Sequence, residues 1–227
     1  MLDAVIFDMD GVIADTEPFH AQAYLEALRT FGIHISESQY RKTITEGGKR
    51  VATWFVELGG ESKHVDELYR RKDQIYFPLV TGKASPRPGL LTLLRELRER
   101  GAACAVATSA RRVNADFILN LFDLRGFFSV ILGLEDVARV KPHPEVFLLA
   151  LERLPAQPHR TVVLEDAPKG VRAALDAGIP VVATPTSWTR HCRFDGVALV
   201  VESLEELSVA RLNGLLGKDS LGGSGTS

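Results

Sequence analysis

The stretch Ala4-Val5-Ile6-Phe7-Asp8-Met9-Asp10-Gly11-Val12 places an apolar run directly before two acids and a glycine. An apolar, partly β-branched run bounded by Asp and Gly predicts a buried strand that ends in a turn. In a parallel α/β sheet, ligands bind outside the carboxyl ends of the strands. Two carboxylates at that place can act as a nucleophile and as a proton carrier, provided that a cation reduces their repulsion. The stretch therefore predicts a reactive site at the end of the first strand.

The second half of the chain alternates between strand and helix patterns. After a break at 85–89, helices are predicted over 90–97, 113–122, 144–154, 169–177 and from 204 onward, and strands over 102–107, 128–132, 161–164, 180–183 and 197–201. Strands that alternate with helices of about ten residues indicate βαβ units. We therefore predict an α/β fold with a doubly wound parallel sheet.

The segment 16–85 differs, because its apolar residues keep helical spacing throughout. We predict an all-helical cap over 16–85, inserted into a catalytic core formed by 1–15 and 86–217. The chain would cross between the two near Asp15-Thr16 and near 86–88, which suits a lid over the strand ends. The alternative is that these helices form one face of a single domain. The Gly/Ser-rich segment 218–227 is expected to be a flexible tail.

Composition restricts the function classes. The chain has 227 residues, of which 45% are hydrophobic, and a net charge of -2. This charge offers no basic surface for nucleic acid or an anionic membrane. No stretch approaches the roughly 18 apolar residues of a membrane span, and the N-terminus lacks a secretory pattern. We expect a cytoplasmic monomer without nucleic-acid or membrane partners, with Cys104 as a small buried hydrophobe.

Four short motifs fall at predicted strand ends. They are Asp8-x-Asp10, Thr108-Ser109, Lys141, and Glu165-Asp166 with Gly170. Two acid pairs, a hydroxyl and a lysine together describe a phosphoryl-transfer site. Oxygen-only ligands suit Mg²⁺, whereas the motifs contain no His or Cys cluster for Zn²⁺. Each motif also has a simpler interpretation, as turn acids, helix caps or a solvated lysine.

With these motifs in order, the chain resembles the haloacid dehalogenase superfamily of phosphotransferases over residues 2–210. It looks most like the subfamily with a helical cap that contains β-phosphoglucomutase and many sugar-phosphate phosphatases. The resemblance implies that Asp8 is the nucleophile that becomes an aspartyl-phosphate and that Asp10 is the general acid and base. Thr108 would bind the phosphate, and Lys141 would neutralise Asp8 and the transferring group. The acid at Asp10 argues against the dehalogenase branch itself.

The resemblance also implies the metal site. Asp8, Asp166 and the backbone carbonyl of Asp10 would ligate Mg²⁺, and Glu165 would ligate it or order its waters.

The substrate-binding residues are less well marked. His20, one turn into the first cap helix, is either a partly buried helix histidine or a group that orients Asp10. The sequence Gly47-Gly48-Lys49-Arg50 precedes a helix, where cations oppose the macrodipole and indicate an anionic partner. It resembles the same segment of pentulose-bisphosphate phosphatases, but a solvated turn is the alternative. The remaining predicted substrate contacts are Ser109, Ala110 and Arg111.

The predicted function is Mg²⁺-dependent hydrolysis of a small phosphorylated metabolite, a sugar phosphate or bisphosphate. One alternative is a β-phosphoglucomutase-like mutase, which transfers the phosphoryl group to a second hydroxyl of the sugar instead of to water. Residues alone do not choose between them, because the outcome depends on how long the cap excludes water. A remote alternative is a phosphate-sensing interaction domain without turnover.

Overall fold

A computed structural model of the protein describes residues 1–154 and 156–216, so the predicted tail lies outside the described residues. Six parallel strands form one sheet in the order β3-β2-β1-β4-β5-β6. The strands are β1 (Ala4–Phe7), β2 (Ala103–Ala107), β3 (Val130–Leu132), β4 (Thr161–Glu165), β5 (Val181–Ala183) and β6 (Leu199–Val200). The predicted doubly wound parallel sheet is confirmed.

Helices connect the strands. They are α1 (Glu17–Arg29), α2 (Glu37–Tyr40), α3 (Val51–Glu57), α4 (Val65–Lys83), α5 (Leu90–Glu99), α6 (Arg112–Leu121), α7 (Glu145–Arg153), α8 (Pro168–Asp176) and α9 (Val209–Asn213). A π-helical turn, Arg41–Glu46, follows α2, and short 3-10 turns lie between several elements.

The sheet has an apolar core on each face, because successive residues of a strand point to opposite sides. Val5 and Phe7 of β1 belong to one core and Ala4 and Ile6 to the other. Strand β1 pairs with β2 on one side and β4 on the other, so the order of the chain reverses at β1. In such sheets the reversal opens a crevice at the carboxyl ends of the strands. Asp8, which directly follows β1, therefore lies at this crevice.

Helices α1 to α4, together with their turns, are called here the helical insertion (residues 17–83). Its two connections to the sheet run side by side, since Ala14 forms an antiparallel bridge with Pro86 and Arg87 N donates to Ile13 O at 2.8 Å. This pairing fixes the two connections next to each other. The division of the chain into cap and core domains with the stated boundaries stays a prediction.

Two parts of the secondary-structure prediction need correction. The segment 16–85 is not helical throughout, because 30–36, 47–50 and 58–61 are loops and turns. In the first loop, Ile33 and Ile35 are only two residues apart, which is not helical spacing, although both pack into the insertion's own core. The strand predicted at 197–201 shortens to β6 at the sheet edge, where Val200 is half exposed.

The expected closing helix from 204 is also different. It is a 3-10 turn over Leu204–Glu206 followed by the short α9. The serines Ser203 and Ser208 each accept a backbone N–H and so start the two pieces separately.

Cys104 is buried as expected, and burial raises the pKa of its thiol to about 12. Among the described residues, no helix combines the length and apolar character needed to cross a membrane.

Candidate active site

Strand ends bring the four motifs together. Asp8 follows β1, Thr108 follows β2, and Glu165 ends β4 with Asp166 directly behind it. Lys141 comes from the segment that precedes α7. Because β1 lies between β2 and β4, the carboxyl ends of these three strands are neighbours, and the motifs meet in space although they are far apart in sequence.

Lys141 lies at the centre of this group. Its Nζ is 2.5 Å from Asp8 Oδ1, 2.5 Å from Glu165 Oε1 and 2.9 Å from Ala107 O. Burial alone would lower the pKa of Lys141, but the two carboxylates outweigh it and raise this pKa. The ammonium therefore stays charged and holds both acids in place. A solvated loop lysine, the simpler interpretation, is wrong, since the side chain is buried.

The acids around Lys141 carry more negative charge than one lysine balances. Burial, reinforced by the charge of Glu165, raises the pKa of Asp8 to about 8, and burial with the charges of Glu165 and Asp8 raises the pKa of Asp166 well above its usual range. Carboxylate oxygens of Asp8, Glu165 and Asp166 lie within 4.8 Å of one another. An all-oxygen donor set with excess negative charge suits a hard divalent cation such as Mg²⁺.

Two glycines leave room for these carboxylates. A Cβ at Gly11 would lie 2.3 Å from Asp166 Oδ2, and one at Gly170 would lie 1.8 Å from Glu165 Oε1. The backbone thus forms a close cradle around the acids that any side chain would fill. The residues present fit a bound Mg²⁺.

Both carboxylate oxygens of Glu165 accept hydrogen bonds from other groups of the protein. One oxygen accepts from Lys141, and the other accepts the backbone N–H groups of Asp166 at 3.0 Å and Ala167 at 3.3 Å. Asp166 has no comparable set of contacts among the described hydrogen bonds. These contacts favour the second role predicted for Glu165, ordering the site around the metal.

Asp10 lies beside the acid cluster but in a different environment. Thr16 Oγ1 donates to Asp10 Oδ1 at 2.5 Å, and His20 Nε2 lies 3.1 Å from the same oxygen without the alignment of a hydrogen bond. Burial alone would raise the pKa of Asp10, but His20, Thr16 and Lys72 together outweigh it and lower this pKa. The geometry fits the prediction that His20 orients Asp10. Thr16 directly precedes α1, but its side chain caps no backbone N–H there and its hydroxyl donates to Asp10.

The bond from Thr16 gives a direct test of how Asp10 is held. Thr16→Val keeps the shape but removes the donor, and kcat is expected to fall about tenfold or more, because a hydrogen bond to a charged group is worth roughly 1.5–3 kcal/mol. A donor to the charged form lowers a pKa, so its loss raises the pKa of Asp10. The acidic limb of the kcat–pH profile should move to higher pH. Thr81→Val, on an exposed helix face, is the matched control. An unmoved acidic limb would contradict this role.

Thr108 faces the acids from the neighbouring strand. Its buried Oγ1 accepts the backbone N–H of Ala110 at 3.0 Å, which shapes the turn between β2 and α6. The hydroxyl hydrogen remains available for another acceptor, since this bond uses only an oxygen lone pair. Thr108 and Ser109 line the small pocket formed by the acids.

A larger cavity, whose volume of about 650 Å³ includes open solvent, adjoins the acid pocket and shares Asp10, Glu17, Ser109 and Lys169 with it. Every residue predicted to contact substrate lies on its wall: His20, Gly48, Lys49, Arg50, Ser109, Ala110 and Arg111. Their roles in binding stay predictions.

The cationic side chains on the cavity wall have different partners. Lys49 Nζ lies 2.7 Å from Glu57 Oε2 in an exposed pair. Arg50 Nη2 instead donates to the carbonyls of Val137 and Ala138, both at 3.1 Å, and so joins the helical insertion to the sheet part of the chain. The neighbours that were predicted as one anion-binding pair therefore have separate partners.

Sequence reasoning missed several residues on the wall. Glu17 is buried and bonded by Thr45, and Lys169 Nζ donates to Ile44 O at 2.9 Å. Behind the wall, buried Lys72 Nζ bonds Asn114 Oδ1 at 2.9 Å. An acid in the first turn of a helix is ordinary helix-end chemistry, so Glu17 gave no separate signal. Lys169 in the first turn of α8 opposes the macrodipole, and the rule applied to Lys49 and Arg50 could have found it.

Comparison with known proteins places this geometry in a family. The family model described as haloacid dehalogenase-like hydrolase matches residues 5–184. Protein CbbY of Cereibacter sphaeroides is 32% identical over 229 residues, covering 96% of this chain and 97% of that protein. Fructose-1-phosphate phosphatase YqaB of Escherichia coli is 32% identical and covers 78% of this chain and 94% of the relative.

A solved structure is also similar to this chain. The structure of a CbbY mutant from Rhodobacter sphaeroides in complex with xylulose-(1,5)bisphosphate has a TM-score of 0.85 and 31% identity, covering 92% of this chain and 98% of that one. The family model spans most of the sequence, and CbbY matches it along nearly the whole length. The resemblance inferred from the four motifs is confirmed, and the chain belongs to the haloacid dehalogenase-like hydrolases.

Proposed function

We propose that this hydrolase is a Mg²⁺-dependent phosphatase of small phosphorylated sugars that works through an aspartyl-phosphate on Asp8. The observation that carries the proposal is the position of Lys141, whose ammonium touches Asp8 and Glu165 at the strand ends. Asp10 follows at the same strand end, where Thr16 Oγ1 donates to its carboxylate and His20 lies beside it. A carboxylate held next to a nucleophile can transfer protons to and from the reacting oxygens.

In the first step, a carboxylate oxygen of Asp8 attacks phosphorus and the bond to the sugar oxygen breaks. Asp10 gives its proton to that oxygen, so the sugar leaves as a neutral alcohol. Lys141 offsets the charge of Asp8 before the attack, and Thr108 can donate to a non-bridging oxygen. Fixed donors of this kind favour the transition state without reorganisation.

In the second step, water attacks phosphorus and Asp10 accepts a proton from it. The bond between phosphorus and Asp8 breaks, which releases phosphate and restores the free carboxylate. Asp10 can take this proton because it gave up its own in the first step. His20 and Thr16 keep the Asp10 carboxylate in position for both transfers.

We assign the Mg²⁺ site to Asp8, Asp166 and the backbone carbonyl of Asp10, with Glu165 ordering the site. When bound, Mg²⁺ neutralises the acids and polarises the phosphoryl oxygens.

The substrate class is inferred from the cavity and the relatives. Arg50, Arg111 and Lys169 on its wall favour an anionic ligand beyond the reacting phosphate. YqaB carries the name of a fructose-1-phosphate phosphatase, and the CbbY structure holds a pentulose bisphosphate. These observations support a sugar phosphate, with bisphosphates included in the first assays.

A phosphosugar mutase is the second candidate, and contacts across the cavity favour considering it. Arg50 reaches the carbonyls of Val137 and Ala138, and Lys169 reaches Ile44 O, so the helical insertion closes over the strand ends. A mutase needs such closure, because its phosphoryl intermediate must survive until a second hydroxyl is in place.

One assay distinguishes the candidates. The protein is supplied with Mg²⁺ and a panel of hexose-1-phosphates, ketose-1-phosphates, pentulose bisphosphates, phosphoglycolate and nucleotides, and both free phosphate and isomerised sugar phosphate are measured. Phosphate release from a sugar phosphate, abolished by EDTA, is expected. Isomerisation with little free phosphate would identify a mutase, and turnover that persists without a divalent cation would overturn the metal assignment.

The contrast between Arg50 and Lys49 gives a further expectation. Arg50→Met removes a bridge across the cavity, so kcat/KM should fall roughly tenfold, mainly through KM. Lys49→Met breaks only an exposed ion pair, so an effect of about twofold or less is expected. Steady-state kinetics on the best substrate of the panel measures both. Equal losses would show that the two residues act as one anion-binding pair.

A further inference from the structure

A second cluster of metal-ligating side chains lies outside the acid site. Glu46, His191 and Cys192 place a carboxylate oxygen, an imidazole nitrogen and a thiol sulfur within 4.8 Å of one another. Glu46 ends the π-helical turn of the helical insertion, whereas His191 and Cys192 belong to the segment between β5 and β6. None of the three takes part in the proposed reaction.

Two of the three distances within the cluster are close to those around a tetrahedral metal. His191 Nε2 is 3.1 Å from Glu46 Oε1 and 3.6 Å from Cys192 Sγ. Zinc binds N, O and S ligands at about 2.0–2.3 Å, which separates neighbouring ligand atoms by roughly 3.3–3.8 Å in a tetrahedron. The third pair, Glu46 and Cys192, lies within 4.8 Å, and exposed side chains such as His191 can move to complete the geometry.

The ligand types select the metal. A thiolate with an imidazole favours a borderline-soft cation over Mg²⁺, which prefers oxygen ligands. The site is partly open, since His191 is about half exposed, so an ion can enter and water can supply a fourth ligand. Glu46 Oε1 now lies 3.9 Å from Arg41 Nε and 3.1 Å from His191 Nε2, and a bound ion would replace these contacts.

We propose that Glu46, His191 and Cys192 form a Zn²⁺ site that joins the helical insertion to the segment after β5. The two parts already touch there, because Trp188 packs with Tyr40, Ile44 and Trp54 of the insertion. A metal bound at the rim of this contact adds a direct link between them. Zn²⁺ therefore stabilises the closed arrangement of the insertion over the strand ends.

The same three residues do not form an activated thiol. Burial and the charge of Glu46 raise the pKa of Cys192, so the thiol is not poised as a nucleophile. Metal binding instead displaces the thiol proton, as it does at other cysteine ligands.

Calorimetric titration of the whole protein with Zn²⁺, in excess Mg²⁺ that occupies the acid site, tests the proposal. One equivalent of Zn²⁺ should bind, and Cys192→Ser, His191→Ala and Glu46→Gln should each weaken binding roughly tenfold or more. Asp166→Asn should bind Zn²⁺ as the natural protein does, because it alters only the acid site. Thermal melting of each variant without metal checks that it is folded.

Co²⁺ provides an independent readout. A thiolate-to-cobalt charge-transfer band should appear in the natural protein and in Cys104→Ala, but not in Cys192→Ser. Zn²⁺ binding that is lost in Asp166→Asn and retained in Cys192→Ser would place the ion at the catalytic acids and overturn the proposal. Full affinity in Glu46→Gln would overturn the link to the insertion, and absence of the cobalt band would exclude the thiolate ligand.

Discussion

Asp8→Asn should abolish turnover, with a loss in kcat of roughly 10⁴-fold or more, the magnitude expected when a covalent nucleophile is removed. Asparagine keeps the shape of the side chain but cannot form the acyl phosphate. The fold should survive, because Lys141 keeps its bonds to Glu165 and Ala107. Replacing Asp8 also removes one of three crowded carboxylates, whose burial and mutual repulsion raise the pKa of Asp8 to about 8. The melting temperature without Mg²⁺ should therefore stay the same or rise.

Asp3→Asn is the matched control. Asp3 precedes the same strand at its opposite end and pairs with Arg160 at the surface, so this variant should keep full activity. Acid quenching during turnover, followed by peptide mass spectrometry, should find phosphate on the peptide that contains Asp8 in the natural protein and in Asp3→Asn. Activity that survives in Asp8→Asn with a normal melting temperature would refute the aspartyl-phosphate mechanism, whatever the substrate.

The sheet and its reactive edge could be predicted because their signals are local. Val5 and Phe7 face one core and Ala4 and Ile6 the other, so β1 reads as a continuous apolar run. Parallel topology then places whatever follows each strand at one edge of the sheet. The motifs after β1, β2 and β4 are neighbours for this reason, without any need to know their distances.

Properties that depend on distant partners could not be predicted. Lys49 and Arg50 are adjacent in sequence, yet one pairs with Glu57 on the surface and the other reaches carbonyls 87 and 88 residues away. Glu46 and His191 are 145 residues apart, so the zinc cluster has no sequence signature beyond an adjacent His and Cys. The sequence argument against zinc concerned the four motifs alone, and the cluster proposed to bind it lies outside them.

The hydrogen bond of Thr16 could not be predicted either, although its partner Asp10 is only 6 residues away. Its place before α1 predicts a cap, which is the commonest use of threonine there. The hydroxyl bonds Asp10 because the turn after β1 folds back and leaves the carboxylate within 2.5 Å. The capping rule predicts the start of α1 correctly but not the hydrogen bond, because the Thr16 hydroxyl donates to a charged carboxylate instead of accepting a backbone N–H.

Lys141→Met should damage both activity and stability. The natural ammonium contacts Asp8 and Glu165 in a buried site, and removing one partner of a buried ion pair costs about 3–5 kcal/mol. Methionine fills much of the space but leaves two facing carboxylates, with Asp166 beside them, without that charge. Turnover should fall by roughly 10³-fold or more, since nothing then offsets the charge of the nucleophile. Lys83→Met, at the exposed end of α4, should change neither property.

The stability loss in Lys141→Met should depend on pH and on Mg²⁺. Carboxyl groups whose pKa is raised in the folded state bind more protons there than in the unfolded chain, so their cost grows as pH rises. Without the lysine the pKa of Asp8 rises further, and the variant should regain melting temperature between pH 8 and pH 5, relative to the natural protein. Mg²⁺ should raise its melting temperature more than that of the natural protein, because the ion supplies the missing charge. A pH-independent loss that Mg²⁺ does not relieve would mean that Lys141 acts by packing, and the charge balance assigned to the acid site would be wrong.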